Sequence, residues 1–336
     1  MKLSKLSALL LSAVMLLTLA ACGGSAATPA PSAAPAESAA PAAETFVVGI
    51  CQLAPHVALD AATQGFKDAL NEALPGQVEF KEDNAAGETP NCATIVNGFV
   101  SDNVDLIMAN ATPAVQAAAT ATGDIPVLGT SVTEYGVAFG IQNFSGLVGT
   151  NVSGTSDLAP LDQQADMLVE WFPEAKTVGL LYCSGEANSQ YQVDEVQKFL
   201  EAKGITCTQY PFADTNDMAA VTQTAADASD VIYVPTDNTV ANNTGVIDNI
   251  CRPAGVPVIA GEEGICKGCG VATLSISYYD LGVATGKMAA KILTGEANVA
   301  EMPIEYAANV TPKYNPVICE DLGITVLDGY EAIVME

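Results

Sequence analysis

The chain has 336 residues, 49% of them hydrophobic and 15% charged, which is a globular composition long enough for about two domains with a core each. Its formal charge of −27 excludes nucleic acid as a partner on electrostatic grounds. Arg252 is the only arginine, so the bidentate guanidinium clamp that a dianionic or phosphorylated ligand usually needs is scarce, and a zwitterionic or neutral ligand is expected.

Residues 1–22 read as an export signal. Lys2 and Lys5 supply the positive start, Leu6 to Leu19 an apolar stretch too short and too rich in small residues for a comfortable membrane span, and Leu19-Ala20-Ala21-Cys22 the processing site. That last string resembles a bacterial lipobox, which implies cleavage before Cys22, acylation of Cys22 and tethering to the outer face of a membrane. Cleavage removes both lysines and no acid, taking the formal charge from −27 to −29. Residues 23–44 are almost wholly Gly, Ala, Ser, Thr and Pro; such a segment buries too little apolar surface to offset its ordering entropy and reads as a disordered tether.

The first lobe opens with strand Phe46–Cys51 and a junction from Gln52 to His56, then a helix with Leu59, Ala62, Phe66, Ala69 and Leu70 on one face. A strand from Val78 to Glu82, a polar loop, a helix around Cys92 to Val100 and strand Asp105–Ala109 follow. The polar junction Asn110 to Pro113 puts proline at a first helical position before an Ala-rich helix. Strand Pro126–Gly129 then leads into Thr130, Ser131, Thr133 and Glu134. Residues 136–155 read as irregular, with the first crossing between lobes near Gly154 to Leu158. Helix Leu161–Phe172 carries the lone Trp171, read as a packing residue.

The second lobe repeats the plan. Strand Val178–Tyr182, junction Cys183 to Ser189, helix Tyr191–Lys203, strand Ile205–Tyr210 and helix Met218–Ala228 lead to Asp230-Val231-Ile232-Tyr233-Val234, a buried strand that Pro235 terminates. Thr236, Asp237, Asn238 and Thr239 then stand where a helix begins. Strand Val256–Ala260 ends in Gly261-Glu262-Glu263-Gly264, strand Val271–Ile276 precedes a helix from Tyr278 to about Gly295, and the tail from Met302 reads as short strands. Two similar α/β units therefore place polar junctions at the carboxyl ends of their strands, the edge where open parallel sheets bind ligands. Two such edges facing each other make a cleft.

Several strings together carry a resemblance: Asp230 to Val240; Ile125-Pro126-Val127 with Thr130-Ser131-Val132-Thr133; Gly149-Thr150-Asn151-Val152-Ser153-Gly154; and Ser277-Tyr278-Tyr279-Asp280-Leu281-Gly282. In this order and spacing they resemble the substrate-binding lipoproteins of ABC transporters of the tryptophan/tyrosine-binding type, over nearly everything from Phe46 onward. The resemblance implies an α/β protein of the type I periplasmic-binding-protein fold, two doubly wound parallel-sheet lobes joined by a multi-strand hinge. Residues 45–156 and 279–305 form lobe 1 in this reading, and residues 157–278 and 306–336 form lobe 2. It also implies capture of a small ligand, foremost an aromatic or other hydrophobic amino acid, and its delivery to an ABC permease with a cytoplasmic ATPase, by a monomer without cofactor. The family often has an Asn-Pro pair where Cys183-Ser184 stand, and a turn without cysteines where Cys266-Lys267-Gly268-Cys269 stands, which leaves ligand identity open.

A buried amino-acid zwitterion needs both charges paired, since an unpaired charge out of water costs several kcal/mol. The carboxylate is expected at the helix N-terminus and hydroxyl of Ala111-Thr112, with Thr133 or Ser184 assisting. The ammonium is expected at Asp237, with Glu262 as the alternate. Gln52, Glu186, Asn188 and Asn238 add contacts from other junctions, and Tyr135, Tyr182 and Tyr278 are candidates to flank the side chain.

Cys22 apart, eight cysteines remain whose pairing the sequence leaves open. Cys266-X-X-Cys269 lacks a second Cys pair and has only His56 for company, so a disulfide or two reduced thiols is favoured over a metal site. A thioredoxin-like role needs the first Cys at a helix start, whereas a strand is expected to follow here. No Gly-X-Ser-X-Gly elbow, phosphate loop or Gly-X-Gly-X-X-Gly fingerprint occurs, so an enzyme is not expected. Two other binding roles stay open: a tethered sensor that docks on a receptor kinase, and an importer receptor for a nucleoside or short peptide.

Overall fold

The computed structural model describes residues 45–335. The export signal, Cys22 and the tether over 23–44 lie outside the described residues.

In the first lobe, alternating apolar residues build a sheet buried on both faces. Its elements are β1 (Phe46–Gln52), α1 (Val57–Ala73), β2 (Val78–Asn84), α2 (Thr89–Ser101), β3 (Leu106–Asn110), α3 (Thr112–Ala121), β4 (Val127–Val132), α4 (Tyr135–Phe139) and β5 (Val152–Ser156). Along β1, Val48 and Ile50 pack with Phe66 and Leu70 of α1, while Cys51 points to the other face among Cys92, Phe99 and Val115. Leu106 and Met108 of β3 follow the first set, Ile107 and Ala109 the second, as a period of two requires.

The second lobe contains α5 (Leu161–Trp171), β6 (Thr177–Cys183), α6 (Ala187–Ala202), β7 (Thr206–Phe212), α7 (Thr215–Ala228), β8 (Val231–Val234), α8 (Asn238–Ala241), α9 (Thr244–Ala254), β9 (Val258–Ala260), α10 (Glu263–Cys269) and β10 (Ala272–Ser275). The chain then returns to the first lobe with α11 (Tyr278–Leu293) and β11 (Glu305–Tyr306). It ends in the second with β12 (Thr311–Tyr314), α12 (Pro316–Asp321) and β13 (Glu331–Ala332). Among the described residues, strand order is β11-β5-β4-β3-β1-β2 in the first sheet and β13-β12-β10-β9-β8-β6-β7 in the second. Pairing is parallel throughout except between β10 and β12. This is the α/β architecture of the type I periplasmic-binding-protein fold, with two parallel-dominated sheets. Trp171 packs edge-on against Tyr330 in the second lobe, ring centroids 5.0 Å apart.

Three crossings link the lobes: residues 157–160, Ile276-Ser277, and residues 307–310. The second crossing is anchored because α11 lies directly along α1. A Cβ at Gly282 would run into the carbonyl of Ala62, so the helices approach this closely only with glycine there.

Several segments differ from the sequence expectation, among them the short helix α4, most of which falls in the stretch 136–155 read as irregular. Residues 152–156, read as irregular up to a crossing near Gly154, form β5, wholly buried between β4 and β11; sheet pairing supplies what its small residues do not signal. The stretch from Glu263 to Cys269 is a helix, capped by the Glu262 carboxylate, so Cys266 follows a strand and lies inside a helix. A short helix, α12, interrupts the tail.

Candidate functional site

At the facing edges of the two sheets, the strand ends of both lobes converge on a narrow cavity of about 10 Å³, room for about one water. His56 and Leu59 reach it from the first lobe, Thr236 and Asn238 from the second, and Asp157 and Tyr278 from the crossings. Nε2 of His56 lies 3.3 Å from Oδ1 of Asn238, a hydrogen bond from lobe to lobe. An amino acid needs far more space, so the lobes must part to admit one. Glu262 and Tyr278 also wall a larger hollow of about 770 Å³ that flanks the hinge.

The first lobe contributes strained backbone here. Ala111, at the N-cap of α3, has φ 90°, and Ser131, at the end of β4, has φ 54°. Both are non-glycine residues in a costly region, held at adjacent strand ends where the Ala111 N–H donates to the Thr130 carbonyl. Thr112 and Thr133 are buried beside them. Ser131 is 5% exposed and its hydroxyl has no partner. Gln52, by contrast, is spent inside its own lobe: its amide donates to the Ala54 carbonyl and Asp60, and its oxygen accepts from Thr63.

The second lobe holds buried carboxylates, and their partners decide their roles. Asp237 was expected to receive a ligand ammonium, but Oδ2 accepts the Cys183 N–H at 2.7 Å and Oδ1 the Val240 N–H at 2.9 Å, so it caps α8 and pins the β6 junction. Glu262, the alternate, likewise spends both oxygens on the Gly264 and Ile265 N–H groups that start α10. Glu186 accepts from the Asn238 side chain at 2.7 Å and from the Thr239 N–H and hydroxyl at 2.8 Å. Asn188 donates to Glu186 and to the Thr236 carbonyl, leaving its own oxygen without a partner. Burial and the nearby Glu186 push the Asp237 carboxyl up to about 8, and burial pushes Glu262 up to about 7. Burial also lowers the pKa of His56, although the bond to Asn238 opposes this.

Three further candidates sit elsewhere than expected. The ring of Tyr182 belongs to the second-lobe core under α6, on the β6 face shared with Val178 and Leu180, and its hydroxyl is bound to Gln190 and Gln209. Tyr135 is buried in the first lobe with its hydroxyl on the Thr155 carbonyl. Ser184 is exposed and donates to the Phe212 carbonyl. Tyr278 does face the cavity. Its partner, Asp157, was missed: only its place among small polar residues at a lobe crossing hinted at it.

Cys266 and Cys269 are buried in α10, their thiols pushed well above the ordinary range by burial. All eight described cysteines are free, and among the described residues no group of three or more His, Cys, Asp or Glu is placed to hold a metal.

The comparisons with known proteins agree with this geometry. The curated tyrosine-binding protein of Clostridioides difficile (strain R20291) is 32% identical over 260 residues, covering 76% of this chain and 75% of that protein. A structure from Streptococcus pneumonia described as an ABC domain in complex with L-Trp is 31% identical, with TM-score 0.82 over 86% of this chain and 100% of that one. A ligand-free, open substrate-binding protein with adhesive properties from Clostridium difficile is 35% identical but superposes with TM-score 0.66, over 87% and 100% of the two chains. The profile of the family described as ABC transporter substrate binding protein matches residues 47–333. The chain therefore belongs to the ABC transporter substrate binding protein family, whose members bind solutes and are not enzymes.

Proposed function

We propose that this protein is the extracytoplasmic receptor of an ABC importer for an amino acid, foremost an aromatic one, captured between the lobes and handed to a membrane permease. The observation that carries this reading is the convergence of strand ends from both lobes on one cavity walled by residues with buried polar atoms that lack partners, Asp157 Oδ1 and His56 Nδ1. A buried polar group without a partner is costly, and a polar ligand would supply what these lack. The lobe arrangement also supports it: the chain superposes better on the relative solved with L-Trp than on the open, ligand-free one, although the latter is closer in sequence. Two relatives with aromatic amino acids in their descriptions favour that class.

In this reading the ligand carboxylate meets the backbone around Ala111-Thr112, where α3 presents N–H groups, with Thr133 and Ser131 beside it. Asn188 and Asn238 approach from the second lobe, and Tyr278 flanks the ligand. Acylated Cys22 tethers the receptor to the membrane through the segment over 23–44, and a monomer docks on the permease. Among the described residues no helix is long and apolar enough to cross a membrane.

A thermal-shift screen of residues 45–336, which contain both sheets, their cores and the three crossings, tests the reading against amino acids, nucleosides and short peptides. A ligand at about 100 times its Kd adds about 2.7 kcal/mol, several degrees at this size. A selective response to tryptophan, tyrosine or phenylalanine is expected. A response to nucleosides or peptides alone replaces the ligand class, and silence throughout favours a sensor that docks on a protein.

A further inference from the structure

We infer that Asp157, on the first crossing, is the acceptor for the ammonium group of the ligand. The inference rests on the amino-acid reading above and assigns within it the group that reads the amine.

Four buried carboxylates stand at the lobe edges: Asp157, Glu186, Asp237 and Glu262, each no more than 5% exposed. Three are saturated by donors of their own lobe. Glu186 holds the start of α8, Asp237 ties α8 to β6, and Glu262 caps α10. Asp157 differs. Its Oδ2 accepts the Tyr278 hydroxyl at 2.9 Å, while Oδ1 is buried without any partner. No lysine or arginine lines the cavity on which Asp157 borders, so no side-chain ammonium or guanidinium neutralises it there. A primary ammonium brings both missing elements, a positive charge and N–H donors for Oδ1.

Position strengthens the assignment. Asp157 lies on one crossing and Tyr278 directly follows another, so their hydrogen bond spans the hinge. Groups on the crossings move least when lobes rotate about them, so Asp157 can hold the amine in the parted and the closed arrangement alike. The junctions of the two lobes are then left to select the rest of the ligand as they close. Burial raises the carboxyl pKa, although the Tyr278 and Thr133 hydroxyls and the backbone oppose this, so a ligand ammonium would favour the ionised form.

Isothermal titration of residues 45–336 with L-tyrosine and L-tryptophan, and with their desamino analogues 3-(4-hydroxyphenyl)propionate and indole-3-propionate, tests this. The wild type is expected to prefer the amino acid by about 100-fold or more, because a buried acceptor left unpaired penalises the analogue. Asp157→Asn, nearly the same shape, is expected to bring that ratio close to one. An Asp157→Asn protein that keeps the ratio overturns the assignment, as does a wild type that binds both partners of a pair within about threefold. If Asp157→Asn does not fold, Asp157→Ser is read in the same way, and the wild-type ratio stands as an independent check. A wild type that binds no amino acid overturns the amino-acid reading itself, and with it this assignment; a wild type that binds amino acids without needing Asp157 overturns only the latter.

Discussion

The Tyr278 hydroxyl donates to Oδ2 of Asp157 at 2.9 Å, joining two of the three crossings by a buried hydrogen bond. Tyr278 is anchored in turn by α11, which packs along α1, so the bond fixes the hinge to the first-lobe core. Tyr278→Phe keeps the ring and leaves Asp157 with no hydroxyl donor. A buried acceptor orphaned in this way costs about 1–3 kcal/mol. Urea unfolding should show that loss with an unchanged m-value; equal stability would mean that the bond contributes nothing.

A second expectation concerns pH. Folding raises Glu262 from an ordinary 4.5 to about 7 and Asp237 from 3.8 to about 8, in each case chiefly by burial. The folded chain then binds more protons than the unfolded chain over this interval, so these groups contribute stability that is full below about pH 4 and is lost as pH rises toward 8. Glu262 faces the Gly264 and Ile265 N–H groups, Glu263 and Asp157; Asp237 faces the Cys183 and Val240 N–H groups, Ser189 and Glu186. Glu262→Gln removes one titration while keeping an oxygen for the cap. Its melting temperature should depend less steeply on pH between 5 and 8 than that of the wild type, and an identical slope would exclude Glu262 as a source.

The contact from His56 to Asn238 makes a third expectation. It crosses from lobe to lobe, so it exists only when the lobes are together. His56→Ala removes it without touching either sheet. A net hydrogen bond of about 0.5–1.5 kcal/mol corresponds to a two- to tenfold loss of ligand affinity, with the melting temperature of the free protein little changed. Titration calorimetry reads the affinity, and small-angle scattering should show a more open free protein. Unaltered affinity would show that the contact does not contribute to closure.

Much of the framework was legible because it rests on local rules. Val178, Leu180 and Tyr182 alternate with residues of the opposite face, and Pro235 ends a β-branched run; both patterns are written in consecutive residues. The same alternation already places Tyr182 on the helix-covered face with Val178, which argues against a role in the cleft. β5 was not legible, since Val152-Ser153-Gly154-Thr155-Ser156 has little strand signal of its own and is held by its neighbours β4 and β11. The helix at Glu263–Cys269 was missed because seven residues with two glycines carry too little periodicity to reveal a face.

By itself, the sequence determined two α/β units with polar groups at their strand ends, because apolar period, turn residues and caps act within a few residues of one another. Which carboxylate is free to meet a ligand was decided only by tertiary structure. Asp237 and Asp157 are alike as residue types, yet the first is saturated by backbone N–H groups from β6 and α8, while the second is buried at a crossing with one oxygen unfilled. Hydrogen-bond saturation depends on donors brought from distant parts of the chain, and no local pattern encodes that count.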